Sequence, residues 1–322
     1  MRKLTLFIWA LVATFAYGLM RTAIIEGGVV IEGARENVLA VKIGAAALGV
    51  AAVLSAQVDT GVQRVVTTGI SGLDRPRRIT ATAGGTAADI KAVSVIVAGL
   101  DPLGAALTET LPAFTVNTAG TVTGSKVFAR VTSVTIPAGD SPYGDTVSIG
   151  AAGLPAVAST TGIHAAVADS GAPQTITTAI NQPDVPRNIT ATVAASTAAD
   201  VKAISVVITG TNAEDVVITE TLPAFTDNTP GTVAGLKAFK TVTSILIPAH
   251  DGATALTSIG FGDVVGIGHR LARNTVPAAY LANTIEAVAP TIVVSATDIC
   301  LNTADLASAL NSTQVVVELV QT

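Results

Sequence analysis

The chain has 322 residues, long enough for two or three domains that each bury a core, and carries a formal net charge of −5. That charge, with no basic run longer than residues 75–78, argues against nucleic-acid binding, and the single cysteine, Cys300, excludes an intrachain disulfide or a cysteine-based zinc site. Because 49% of the residues are hydrophobic and only 13% are charged, the composition favours an assembly subunit over a free monomer.

The first predicted element is an apolar run, residues 4–20, which follows Arg2 and Lys3 and stops at Arg21. It is slightly shorter than the roughly 20 residues that span a bilayer, and residues 14–16 (TFA) offer a small-x-small pattern suited to a signal peptidase. A signal sequence or membrane anchor is therefore one interpretation, in which residues 1–20 contact a membrane. The other is a retained segment that packs against protein.

A second apolar stretch, residues 43–56, contains AAALGVAAVLSA, whose alanine and leucine content favours a helix. Charged residues at positions 21, 26, 32, 35, 36 and 42 interrupt the apolar runs, so protein contacts suit this region better than lipid. We predict that residues 1–56 form an apolar, partly helical arm that binds other subunits, and that the rest of the chain folds without it. A membrane hairpin is the alternative.

An internal repeat dominates the remaining sequence. Residues 74–82 (DRPRRITAT) return 110 positions later as residues 184–192 (DVPRNITAT), and residues 108–114 (TETLPAF) return 111 positions later as residues 219–225. The matches extend over about 85 residues, too long for a solenoid unit and long enough for a small domain. The repeat predicts two tandem copies of one domain.

Short β-branched stretches within each copy alternate with Gly, Pro, Asn and Asp, which is typical of antiparallel sandwiches. In the second copy the predicted strands are residues 189–193, 203–209, 216–222 and 241–247. Phe114, Phe128, Phe225 and Phe239 occupy matching positions and are predicted core anchors. The fold class is therefore mainly β, with two tandem antiparallel β-sandwich-like domains at residues 57–160 and 161–275.

The C-terminal extension, residues 276–322, is predicted to contain two strands, at residues 291–295 and 315–320, with a short helix or turn at residues 303–310 between them. The two strands complete the second sheet or pair with the edge of a neighbouring subunit, and the sequence leaves both arrangements open.

The patterns PDVPRNITATV, AISVVITG, ITETLPAF and SIGFGDVVGIGHRLARNTV resemble virion structural proteins of tailed bacteriophages, of the capsid-decoration or tail-component type. The resemblance covers residues 177–321, and residues 67–150 share it without counterparts of residues 262–263 and 268–271. It implies a structural role in a virion, with self-association and contacts to other virion proteins. Residues 1–56 lie outside it.

The residues able to carry chemistry are few, and we predict no catalytic, cofactor or metal site. The three histidines, His164, His250 and His269, lack metal-ligand spacing, and the pair His250–Asp251 corresponds to Gly139–Asp140 in the first copy. Residues 84–86 (GGT) lack the lysine of a phosphate loop.

The acidic residues likewise predict structural positions. Glu109 and Glu220 sit in Thr-Glu-Thr strands and are expected on a solvated face, with no partner for glycosidase chemistry. Asp140, Asp145 and Asp251 offer oxygen ligands for calcium, but no EF-hand loop surrounds them.

The sequence thus predicts a phage structural protein, located in the virion, that binds subunits of the capsid or tail through strand edges, loops and the arm. The rival hypothesis is an exported cell-surface adhesin or filament subunit, in which residues 1–20 direct secretion. An enzyme is not expected. The two leading hypotheses differ in the fate of residues 1–20.

Overall fold

The computed structural model of the chain describes residues 25–26, 29–30, 38–139 and 144–320. The predicted signal or anchor, residues 1–20, lies outside this part. The described chain is mainly β with antiparallel sheets, which confirms the predicted class. Three short 3-10 turns, Ala87–Asp89, Ala198–Asp200 and Ile299–Leu301, are its helical elements. Strands β1 (Ile25–Glu26) and β2 (Val29–Val30) pair with each other.

The first unit spans residues 45–151 and consists of two four-stranded sheets. Its strands are β4 (Leu54–Val58), β5 (Arg64–Val66), β6 (Arg77–Gly85), β7 (Ile96–Leu100), β8 (Ala106–Thr110), β9 (Gly120–Phe128), β10 (Arg130–Ile136) and β11 (Asp145–Ala151). The orders are β5-β10-β7-β8 and β4-β11-β6-β9. Alternate side chains of both sheets, among them Ile79, Val97, Phe128 and Val134, meet in one buried core.

The second unit spans residues 156–266 and has the same strand orders, β13-β18-β15-β16 and β12-β19-β14-β17. Its strands are β12 (Ser159–Ala168), β13 (Gln174–Ile176), β14 (Arg187–Ala194), β15 (Val207–Thr211), β16 (Val217–Thr221), β17 (Gly231–Phe239), β18 (Thr241–Ile247) and β19 (Leu256–Gly266). Its core is separate and includes Ile189, Phe225, Phe239 and Phe261.

The third unit joins the two ends of the described chain. Its strands are β3 (Val38–Ile43), β20 (Ala278–Leu281), β21 (Thr284–Ile285), β22 (Thr291–Val293), β23 (Thr303–Asp305) and β24 (Val315–Val320). One sheet has the order β21-β20-β24-β3, while β22 and β23 extend the second unit's sheet beyond β19. A third core lies between this four-stranded sheet and the extended sheet of the second unit, and it contains Ile43, Val265, Ala304 and Val317.

The prediction of a helix over residues 43–56 is wrong. This stretch ends β3, crosses to the first unit through bridges from Ala45 to Leu154 and from Leu48 to Ala151, and enters β4. Gly44 has a φ of +79°, which suits glycine, and a Cβ there would overlap the Leu154 carbonyl. Backbone pairing with residues about 100 positions away therefore overrides the local preference for a helix.

Residue 56, the predicted end of the arm, lies within β4. Val53 and Leu54 are buried in the first core, and residues 38–43 supply an edge strand of the third unit. The C-terminal strands at 291–295 and 315–320 are present, but residues 303–305 form a strand where a helix or turn was expected. β22 joins the second unit's sheet, whereas β24 pairs with β3 and β20.

The matching phenylalanines lie at matching places. Phe128 and Phe239 are fully buried and pair in register with Arg77 and Arg187. Phe114 and Phe225 are also buried, which confirms the prediction of core anchors for all four residues.

Candidate binding cleft at the junction of the three units

Each of the two repeat units contains a buried arginine that hydrogen-bonds both to the start of the unit and to its last strand or the residue that follows it. Arg77 is 1% exposed, contacts both carboxylate oxygens of Asp74 at 2.6 and 2.9 Å, and donates to the carbonyls of Ala46 at 2.8 Å and Ala152 at 3.0 Å. The hydrogen bond and charge of Arg77 lower the pKa of Asp74 to about 2. The Asp-x-Pro-Arg motif is thus a structural ion pair rather than a binding motif.

The second unit repeats the arrangement with deeper burial. Arg187 is fully buried, donates to Asp184 at 3.1 Å and to the carbonyls of Ala156 and Gly262, and stacks 4.3 Å from the ring centre of Phe261. Burial lowers the pKa of Arg187 and the nearby Asp184 carboxylate opposes that shift. Ala46 and Ala152 each lie 110 positions before Ala156 and Gly262, so the repeated contacts begin at residue 46, ahead of the predicted boundary.

The prediction that Glu109 lies on a solvated face is wrong. Its side chain is buried, and Oε1 accepts hydrogen bonds from the backbone of Ser125 at 2.6 Å and Lys126 at 3.1 Å. These amides lie where the pairing of β6 with β9 shifts register between Arg78 and Thr80. The carboxylate satisfies donors that the irregular ladder leaves free, and so joins the edge strand of one sheet to the edge strand of the other.

Glu220 makes the same connection in the second unit. It accepts from Leu236 at 2.7 Å and from Lys237 at 3.2 Å, and burial raises its pKa against those hydrogen bonds. A glycine precedes each pair of donors because a Cβ on Gly124 or Gly235 would overlap the glutamate carboxylate. The sequence contains these glycines at matching places, but the bulge that they serve is not visible from strand alternation.

His250 lies in the loop between β18 and β19, as the sequence predicted, and its side chain is buried there. Its Nδ1 accepts from the Lys202 amide at 3.2 Å and its Nε2 lies 3.0 Å from Oγ1 of Thr257. Burial lowers its pKa, opposed by the charges of Asp169 and Asp251, so the neutral ring is favoured. His164 and His269 lie elsewhere, in β12 and in the segment after β19.

The remaining predicted positions have structural environments. Burial raises the pKa of the Cys300 thiol to about 12, and its Sγ lies 2.6 Å from the Asp298 carboxylate, in keeping with a buried, unreactive residue. Of the segments for which the sequence showed no counterpart in the first copy, residues 262–263 lie within β19 and residues 268–271 follow it, with Leu271 in the third core beside Ile267. Asp140 lies outside the described residues. Asp251 pairs with Lys202 at 3.0 Å.

A cleft of about 670 Å³ opens where the three units meet. Its lining comes from β3, from loops of both repeat units and from the end of β19, and comprises Val41, Lys42, Ile43, Gly44, Arg75, Pro76, Pro102, Leu103, Pro183, Asp184, Val185, Pro186, Thr211, Ala213, Asp215, Lys240, Thr241, Gly266, Ile267 and Gly268. The lining is largely apolar, with Lys240 paired to Asp215 at 2.7 Å. Concave, mainly apolar surfaces with a few polar groups are typical of binding sites, and this cleft is the candidate binding surface of the described residues.

Strand β3 forms one wall of the cleft and the edge of its sheet. Leu39, Val41 and Ile43 face the third core beside Leu319, Val317 and Val315, while Val38, Ala40 and Lys42 are exposed. In the described part of the chain, β24 is the one strand that pairs with β3. Among the described residues, β3 is thus an edge strand, the kind of strand to which a further strand can be added.

The described residues contain no helix long and apolar enough to cross a lipid bilayer. In the same part of the chain, three or more His, Cys, Asp or Glu side chains do not gather at metal-binding distance. No protein-family model matches the chain, and no curated protein matches its sequence.

Proposed function

We propose that the protein is a structural subunit of a bacteriophage virion, in which two copies of a duplicated β-sandwich domain carry a third unit that binds neighbouring subunits. The observation that carries the proposal is the edge strand β3, which is apolar apart from Lys42 and lies at the junction of the three units. We assign its outer edge to β3 of a second copy of the chain.

Two features support a structural role. The residues that match between the two copies, Arg77 with Arg187 and Glu109 with Glu220, hydrogen-bond to backbone groups inside the fold. Low surface charge adds to this, since only 13% of the residues are charged. Both features suit a rigid building block that covers part of its surface with other subunits.

The edge of β3 suits a symmetric contact. Two antiparallel β3 strands related by a two-fold axis would form one continuous sheet across both chains, and each chain would contribute the same patch. Val38 is 37% exposed and its partner across the ladder, Val320, is 38% exposed, so apolar surface accompanies the free backbone groups.

The self-association is tested by light scattering of the full chain after size exclusion. We expect a dimer or larger species, and we expect the double variant Val38→Lys, Ala40→Lys to be a monomer, because lysines on an edge oppose strand pairing and would face their own copies. The matched control is Val217→Lys on β16, another edge strand, where the side chain is 70% exposed. A wild-type chain that stays monomeric at all concentrations contradicts the proposal.

The location is tested by mass spectrometry of the native protein's N-terminus together with imaging of the particles that carry it. Particles containing the chain with residues 1–20 retained support the virion proposal. A protein found at the cell surface with residues 1–20 removed or embedded in membrane supports the exported adhesin or filament subunit instead.

A further inference from the structure

Two buried carboxylates face one small cavity in the first unit. Asp59 is 7% exposed and Asp145 is 6% exposed, and both line a cavity of about 10 Å³, close to the space that one water-sized particle needs. A Cβ on Gly139 would lie 2.7 Å from Oδ2 of Asp59 and 3.0 Å from Oδ2 of Asp145. The two oxygens therefore converge on a single point above this glycine.

One of these oxygens has no partner among the described residues. Oδ1 of Asp59 accepts the amide of Gly61 at 3.0 Å, but Oδ2 is buried without a hydrogen bond. An unpaired buried carboxylate oxygen costs free energy unless a donor or a cation meets it. The charged residues that line the cavity are the two aspartates and Lys91, so the lining has a formal charge of −1.

The second unit shows what fills the same place when the carboxylates are not both present. Asp59 and Asp169 are matching residues, since their amides donate to the carbonyls of Asp145 and Ala255 at 3.1 and 2.9 Å. Alanine thus replaces Asp145, and His250 replaces Gly139.

The His250 ring occupies the space that corresponds to the cavity. It contacts Lys202, Thr257 and Phe225, whose counterparts in the first unit all line the cavity: Lys91, Val147 and Phe114. Glycine and aspartate in one unit are therefore exchanged together for histidine and alanine in the other. A neutral ring fills the second space, whereas the first keeps an opening and gains a negative charge.

We propose that the first unit binds one hard divalent cation, of the Ca²⁺ class, between Asp59 and Asp145 above Gly139. Carboxylate oxygens are the ligands that such ions prefer, and Ca²⁺ accepts oxygens at 2.3–2.6 Å in flexible geometries. The ion meets the buried Oδ2 of Asp59 and offsets the excess charge. Its role is to hold the connection between β4 and β5 to the start of β11, the strand that pairs with β4.

The proposal is tested on the full chain after removal of divalent ions with a chelator. Isothermal titration with CaCl₂ is expected to show one site per chain, and the midpoint of thermal unfolding is expected to rise by a few degrees when Ca²⁺ is added at many times its dissociation constant. Asp59→Asn is expected to weaken binding by roughly tenfold or more, because the charge of the ligands sets affinity at such sites.

Two further variants separate the site from a general effect on folding. Asp145→Asn provides an independent loss of charge and should also lose the response to Ca²⁺. Asp169→Asn, the matched change in the second unit, should leave Ca²⁺ binding unchanged while losing one of the two hydrogen bonds that the Asp169 carboxylate accepts from the amides of His250 and Gly171. A wild-type chain that binds neither Ca²⁺ nor Mg²⁺, or binding that survives both Asp59→Asn and Asp145→Asn, overturns the proposal.

Discussion

Replacing Arg187 with methionine tests how the buried arginines stabilise the two units. The change leaves the Asp184 carboxylate, whose side chain is 1% exposed, as a buried charge without its cation, and it removes donors from the Ala156 and Gly262 carbonyls. Breaking a buried ion pair by removing one partner costs about 3–5 kcal/mol. We expect a loss of stability in this range for the second unit.

Arg77→Met is the matched control, because Arg77 also contacts an aspartate and two backbone carbonyls but its aspartate is less buried. The Asp74 side chain is 43% exposed, so water can hydrate its carboxylate after the arginine is removed. The cost should be about 1–3 kcal/mol, mainly from the lost hydrogen bonds to Ala46 and Ala152. The midpoints of the two ranges differ by about 2 kcal/mol, so we expect the second unit to lose more stability than the first.

Hydrogen–deuterium exchange with mass spectrometry along a urea titration measures the two units separately, through peptides from β6 and β14. Adding Asp184→Asn to Arg187→Met removes the unpaired charge and should recover about 1 kcal/mol or more. The reasoning is refuted if both arginine variants cost the same, or if Asp184→Asn adds its own loss to that of Arg187→Met.

Three other predictions address the glutamate contact, the buried histidine and the chain ends. Gly124→Ala should cost roughly 1–3 kcal/mol because its Cβ would overlap the Glu109 carboxylate, whereas Gly120→Ala in the same strand meets open space and should be near neutral in urea unfolding. The pKa of His250 is lowered in the fold, so its contribution to stability is complete above about pH 6.5 and is lost as the pH falls below that value. In thermal scans from pH 7.5 to 5.5, the unfolding midpoint should fall more steeply for wild type than for His250→Gln, while the exposed control His269→Gln should match wild type. Equal slopes for all three proteins would contradict this assignment. A chain beginning at residue 57 lacks β3 and part of β4, so it should lose the third core and expose the first, whereas a chain beginning at residue 38 should keep all three cores. Identical melting curves of the two chains by circular dichroism would show that β3 is dispensable.

The sequence predicts the strands of the repeat well because their pattern is local. Alternating β-branched residues between glycine and proline turns place β14, β16 and β18 within about two residues of their observed ends, except that β15 starts later than expected. The phenylalanine pairs follow from the repeat itself, since equivalent positions in such a chain share a core.

The chain ends were mispredicted because their partners are remote in sequence. Residues 43–56 favour a helix locally, but Gly44 turns the chain and the following residues pair with residues 149–154. The pairing of β3 with β24 joins segments more than 270 positions apart, and no local pattern marks such a contact.

The polar residues were mispredicted for a different reason. Strand alternation places Glu109 on the outer face, but the shifted pairing of β9 creates free amides that draw the carboxylate into the edge of the sandwich. The comparison of Gly139 with His250 was available in the sequence as a mismatch between the copies. Its meaning depends on the cavity, which requires the packed structure.

Electron cryomicroscopy of the particle that carries the chain tests the central proposal most directly, because it shows what lies beside the outer edge of β3. We expect β3 of one copy to pair with β3 of its neighbour, so that the sheet β21-β20-β24-β3 continues from chain to chain. A β3 edge that faces solvent in the particle, or a particle that lacks the chain, would contradict the proposed role.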